Sequence, residues 1–125
     1  MRDVITTKEG PAALGPYSQA IRANGFVFVS GQVPIDPASR QLVGNDITAQ
    51  TERVIQNLSA ILKGAGTSLD KVVRTTVFLK DMDDFKEMNE AYAKYFSSAP
   101  PARSTVEVAR LPMDVLVEMD VIALE

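Results

Sequence analysis

The sequence predicts a single domain over residues 1–125, of α/β (α+β) class, with six strands and two helices in the order βββ-α-β-α-ββ. Three observations carry this reading. Short β-branched and aromatic runs alternate in the manner of strands. Two stretches repeat apolar residues at helical spacing. Glycine, proline and Asn-Gly signals separate them. Hydrophobic residues make up 46% of the chain, enough to bury a core.

The elements follow in order. Val4-Ile5-Thr6 reads as a first short strand, and Gly10-Pro11 and Gly15-Pro16 punctuate the loop after it. Tyr17 to Ala23 reads as extended. Asn24-Gly25 then makes a hairpin turn into Phe26–Ser30, whose end Gly31 marks. After a loop with Pro34, Pro37 and Gly44, Asp46 can cap a long helix carrying Ile47, Val54, Leu58, Ile61, Leu62 and Ala65 on one side. Gly64 and Gly66 stop that helix. Val72–Leu79 is a strand. One of Asp81, Asp83 and Asp84 begins a second helix with Phe85, Met88, Tyr92 and Phe96 on one stripe, and Pro100-Pro101 closes it off. Ser104–Val108 and Val115–Ala123 are the last strands, with a turn at Leu111-Pro112.

Two amphipathic helices can cover one face of such a sheet. The strands, however, are apolar on both faces: Val73, Val77 and Leu79 alternate with Val72 and Phe78, and Val115, Val117, Met119 and Val121 with Leu116 and Ile122. A sheet apolar on both sides is covered on both sides. With only two helices available, the second face is expected to be buried by another subunit.

Composition narrows the chemistry. There is no histidine and no cysteine, so thiolate, disulfide and imidazole chemistry are excluded. A zinc site would have to be built from carboxylates alone, and no metal is expected. The net charge of -3 leaves no electrostatic footprint for nucleic acid. The N-terminus has no apolar signal core, and no apolar run approaches the ~20 residues of a membrane span. The expected compartment is the cytoplasm, with no membrane partner.

The most informative stretch is Pro100-Pro101-Ala102-Arg103-Ser104-Thr105-Val106-Glu107-Val108. Two prolines end what precedes them, and a lone arginine follows at the mouth of a β-branched run. Its guanidinium is a fixed, permanently charged fork suited to a carboxylate or phosphate. An arginine beginning a strand is ordinarily a surface or ion-paired residue. Glu118 has the stronger internal case: it shares a face with Leu116 and Ile122, where an unpaired carboxylate is costly. A buried ion pair, with Arg74 as partner, is the structural alternative, and Asp120 has the same parity. Gly64-Ala65-Gly66-Thr67-Ser68 follows a helix and lacks a lysine, so it reads as a helix stop and not as a phosphate loop. Asp81, Asp83 and Asp84 do not complete a calcium loop and suit a helix N-terminus.

Several motifs together resemble one family. Gly15-Pro16-Tyr17-Ser18-Gln19-Ala20 and Ser30-Gly31-Gln32-Val33-Pro34 are similar to its N-terminal half. Thr75-Thr76-Val77-Phe78-Leu79-Lys80-Asp81, with Asp84-Phe85 and Asn89, are similar to its middle, and Pro101–Val108 with Glu118 to its end. The ordered set, running nearly end to end, resembles the RidA/YjgF family of enamine/imine deaminases. The resemblance implies a chorismate-mutase-like fold, a mixed six-stranded sheet with two helices on one face, and a homotrimer with sites in clefts between subunits. It also implies hydrolysis of 2-aminoacrylate and related 2-imino acids to 2-oxo acids and ammonia, without a cofactor. Pyridoxal-phosphate dehydratases release these intermediates, which damage such enzymes.

Carried over residue by residue, the resemblance implies that Arg103 binds the substrate carboxylate and that Glu118 orients and helps deprotonate the attacking water. Backbone groups at Gly31 and Thr105 would hold carboxylate and imine nitrogen, and Tyr17, Ser30, Phe85 and Asn89 would line the pocket. Many members carry cysteine where this chain has Thr105, so any thiol-dependent regulation there would be absent. An imine carbon is already electrophilic, which fits a chain without cysteine or histidine. A non-catalytic trimer binding small carboxylates such as 2-oxo acids is the alternative; it needs Arg103 but not Glu118 as a base. Some members are linked to RNA cleavage, and the acidic balance argues against that here.

Overall fold

The computed structural model describes residues 1–125. It contains β1 (Arg2–Ile5), β2 (Ala20–Ala23), β3 (Phe26–Gln32), α1 (Ile47–Gly64), β4 (Val72–Leu79), α2 (Phe85–Ala93), β5 (Ala102–Glu107) and β6 (Val117–Leu124), with short 3-10 turns before β4, α2 and β6. The strands form one mixed sheet in the order β1-β2-β3-β6-β4-β5. Only β4 and β5 run parallel, and α2 lies in the crossover between them. No helix is long and apolar enough to cross a membrane.

Local chemistry explains the elements. Asn24 and Gly25 both adopt positive φ, 53° and 85°, the pair of left-handed residues that a type I′ hairpin demands. The Asp46 side chain accepts from the Ala49 N–H at 2.8 Å and caps α1. That helix buries Val54, Ile55, Leu58, Ile61 and Leu62 completely against the sheet.

Directly opposed residues share a face, so register sorts the sheet into two surfaces. One row runs Ile5, Ala20, Val29, Val121, Thr75, Arg103. Its first five members are buried, so this is the helix-covered side. The neighbouring row, Val4, Ile21, Phe28, Ile122, Arg74, Ala102, contains no buried residue. Phe28 and Val106 on that open side are each 43% exposed. Both faces are therefore apolar in part, and only one is covered within the chain.

Several boundaries differ from expectation. Tyr17 lies in a tight turn, its N–H donating to the Gly15 carbonyl at 2.8 Å, and β2 begins only at Ala20. β3 runs through Gly31 to Gln32 with an irregularity after Val29. α2 ends at Ala93, well before the prolines, because Lys94 and Tyr95 turn back onto Ala91 and Tyr92. Phe96 lies beyond the helix and packs on Tyr92 with ring centroids 4.6 Å apart. Val115 and Leu116 precede β6; the Leu116 N–H is held by the Gln50 side chain of α1 at 2.8 Å.

Candidate active site

Glu118 stands on the open face of β6, opposite Phe78. It is half-buried, and its carboxylate lies against Gly31: a Cβ there would run into Oε2, so any larger residue at 31 would displace the carboxylate from this position. Burial pushes the Glu118 carboxyl above its ordinary range, and the nearby Asp120 charge pushes it further the same way. The anticipated partner Arg74 does not reach it. Arg74 opposes Ile122 and donates to the Ser104 hydroxyl at 2.9 Å. The acid in the field of Arg74 is Asp120, which burial pushes up while Thr76 and Arg74 pull it back. Glu118 thus has no cation beside it in its own chain.

A cavity of about 560 Å³ opens over Glu118, and Tyr17, Ser30, Gly31, Gln32, Leu14 and Met113 are among its walls. Its position depends on the loop between β1 and β2. Buried Gln19 ties that loop down: its Oε1 accepts from the Thr7 N–H at 2.7 Å, and its Nε2 donates to the Thr7 and Pro11 carbonyls at 3.0 and 2.7 Å. Ser30 donates its hydroxyl to the Ser18 carbonyl at 2.6 Å, one residue from Tyr17. The Tyr17 hydroxyl accepts from the Leu14 N–H at 3.3 Å. Fully buried Asn57 of α1 holds the opposite wall, donating to the Val33 and Ile35 carbonyls.

Arg103 is elsewhere. On β5 it opposes Thr75, on the helix side of the sheet. Its guanidinium carbon sits 4.7 Å from the Tyr92 ring centroid and 5.7 Å from that of Phe85. No carboxylate pairs with it. Tyr92 is fixed from behind by a 2.8 Å hydrogen bond with the Thr75 hydroxyl. Asn89, one turn from Phe85 and from Tyr92 on α2, and Thr105, two residues from Arg103 on β5, each carry a buried side-chain oxygen with no hydrogen-bond partner.

The residues singled out from the sequence therefore fall into two groups. Tyr17, Ser30, Gly31 and Glu118 converge on the open face; Arg103, Thr105, Phe85 and Asn89 converge on the helix face of the edge strand. A single chain holds them apart on opposite sides of one sheet. Gln19, Leu14, Met113 and Tyr92 escaped the sequence reading as site residues. Tyr92 left a signal, since Phe85, Asn89 and Tyr92 share one helical stripe in which a polar residue is flanked by two rings.

Comparison with known proteins fits this architecture. The family model for endoribonuclease L-PSP matches residues 7–125. A RutC family protein of Pyrococcus abyssi is 55% identical over 122 residues, covering 98% of this chain and 96% of that relative. Reactive Intermediate Deaminase A of Arabidopsis thaliana, a chloroplast protein, is 48% identical over 122 residues, covering 98% of this chain and 65% of its own length. Among solved structures, the Rid family protein YyfA of Yersinia pestis superposes with a TM-score of 0.97 at 49% identity, covering both chains fully. TdcF of Escherichia coli, solved with bound serine, superposes at 0.94 with 37% identity over 98% of each chain. With its mixed six-stranded sheet, its two helices and a match over nearly its whole length, the chain belongs to the RidA/YjgF family, the family of endoribonuclease L-PSP.

Proposed function

We propose that this protein hydrolyses reactive 2-aminoacrylate and other 2-imino acids to 2-oxo acids and ammonia, in clefts formed where one copy's Arg103 meets another copy's Glu118 in a homotrimer. The observation that carries the reading is the pairing of two uncompensated charges. Arg103 lies on aromatic rings without a carboxylate, and Glu118 is half-buried against Gly31 without a cation. They occupy opposite faces of one sheet, so a substrate can touch both only across a subunit boundary. The apolar, uncovered face that carries Glu118 is the surface such a boundary needs.

The chemistry follows from the residue types. Arg103 takes the substrate carboxylate in a charge-assisted fork. Glu118, made more basic by burial, accepts a proton as water adds to the imine carbon. Addition to the N-protonated imine gives a neutral carbinolamine. Its nitrogen takes the proton back from Glu118 and leaves as ammonia, while the hydroxyl proton passes to Glu118 and departs with the ammonia as ammonium. The carbonyl of the 2-oxo acid remains. 2-Aminoacrylate enters the same path after tautomerising to 2-iminopropanoate. Neither step requires a cofactor. Where a pyridoxal-phosphate dehydratase releases such imines, their removal protects the enzymes they would modify.

The test couples the purified protein to a dehydratase that generates 2-aminoacrylate and follows pyruvate against the uncatalysed rate. Acceleration that saturates with protein supports the reading. Binding of 2-oxo acids without acceleration favours a non-catalytic carboxylate binder.

A further inference from the structure

The cavity over Glu118 does not end at the proposed reacting centre. Pro11, Ala12, Leu14, Ile35 and Met113 line both that cavity and a second, more enclosed one of about 80 Å³, whose remaining walls are Pro37 and Arg40. The shared walls are all apolar, so the apolar part of the larger cavity's lining continues into the smaller annex. The annex is too small for a ring system plus linker, but it holds a short aliphatic chain.

The wall facing this annex is unusual. Met113 and Asp114 both adopt left-handed backbone, with φ of 57° and 54°, and neither is glycine. Non-glycine residues persist there only where their surroundings impose it, and such strain gathers at ligand clamps. Here the surroundings are an ion pair of Asp114 with Lys80 at 3.0 Å and two backbone bonds that close the turn, Asp114 to Leu111 and Val115 to Pro112. Met113 itself is 55% exposed. A strained turn that holds a flexible apolar side chain at a cavity mouth, rather than in the core, has the form of a specificity element.

Resting on the reading of the cleft as a 2-imino acid site, we propose that this annex is the side-chain subsite and that Met113, with Leu14, selects substrates. The favoured class is 2-imino acids with unbranched or branched aliphatic side chains of three or four carbons, in preference to 2-iminopropanoate. Each methylene moved from water into the annex should raise kcat/KM roughly fourfold until the annex is full.

Two ladders test this. The first measures turnover of the imines that an L-amino-acid oxidase makes from alanine, 2-aminobutyrate, norvaline and leucine. The second measures binding of the corresponding 2-oxo acids by calorimetry. Both should climb with chain length in the wild type, and Met113→Ala should flatten both, while Met113→Leu restores the slope. Turnover of 2-iminopropanoate with flat ladders overturns the annex assignment and leaves the hydrolase reading intact. A binding ladder that Met113→Ala flattens, with no turnover of any imine, supports the annex and overturns the hydrolase reading. Ladders that rise equally in wild type and Met113→Ala overturn the role of Met113.

Discussion

Arg103 and Glu118 carry charges that their own chain does not neutralise, and each is tolerated for a different reason. The guanidinium spreads its charge over the faces of Tyr92 and Phe85. The carboxyl stays half-buried by binding its proton more tightly. The two therefore respond differently to substitution. Arg103→Lys keeps the charge but loses the planar fork, so kcat/KM for imine hydrolysis should fall sharply with the fold unchanged by circular dichroism. Glu118→Gln should still bind pyruvate near wild-type affinity, while turnover drops by roughly 10²–10⁴-fold. Retention of full turnover in Glu118→Gln would remove water activation from the account. The raised carboxyl also fixes the direction of two pH effects. Catalysis needs the ionised form, so activity should rise with pH as Glu118 ionises, with burial and Asp120 raising the midpoint and the neighbouring copy's Arg103 lowering it, and that limb should vanish in Glu118→Gln. Stability runs the other way: folding favours the protonated acid, so its contribution is fully present below the unfolded value of 4.5 and is lost as pH rises through the folded one. Glu118→Gln should accordingly melt higher than wild type at neutral pH and match it in acid.

The loop between β1 and β2 shapes the cavity, and Gln19 holds it. One buried amide saturates the Thr7 N–H and the Thr7 and Pro11 carbonyls, none of which has a strand to pair with. Gln19→Ala should cost about 1–3 kcal/mol in urea unfolding, because those backbone groups lose their partner. Activity should fall further than stability alone predicts, since Tyr17 and Leu14 ride on the same loop; a variant with wild-type kinetics would show that the loop holds its shape without Gln19. Element order was readable because punctuation is local. Asn24-Gly25 demands a hairpin, and Asp46 a helix start. Strand ends were less readable. Tyr17 belongs to a β-prone residue type, yet Gly15 and Pro16 turn the chain there, and Gln32 continues a strand that Gly31 only distorts. Gln19, Gln50 and Asn57 read as ordinary polar residues, because their work is to satisfy backbone groups distant in sequence.

For the molecule as a whole, the sequence announced a sheet apolar on both sides but not how its strands are ordered. That β6 inserts between β3 and β4 is decided by long-range pairing, which no local pattern encodes. The same limit hid the division of the site. Parity within a strand is legible, but which face Arg103 shares with which residues of β6 depends on register across β4. The open face, with Phe28, Val106 and Leu124 each more than two-fifths exposed, predicts assembly. Sedimentation equilibrium at micromolar concentration should give three times 13.6 kDa, and a well-behaved monomer would contradict the account of this face. With a net charge of -3, single-stranded RNA should not bind measurably at physiological salt; micromolar affinity with a steep salt slope would contradict that.

The central claim is that one cleft draws Arg103 from one copy and Glu118 from another, and subunit mixing tests it most directly. Arg103→Lys and Glu118→Gln proteins, each nearly inactive alone, are unfolded together in equal amounts and refolded. If the site is shared between neighbours, random trimers regain one intact cleft wherever an unmutated Arg103 meets an unmutated Glu118. Activity should then return to roughly a quarter of wild type. If the mixture refolds into trimers containing both variants and stays as inactive as its parents, the two residues do not act across a subunit boundary, and the proposed site is wrong.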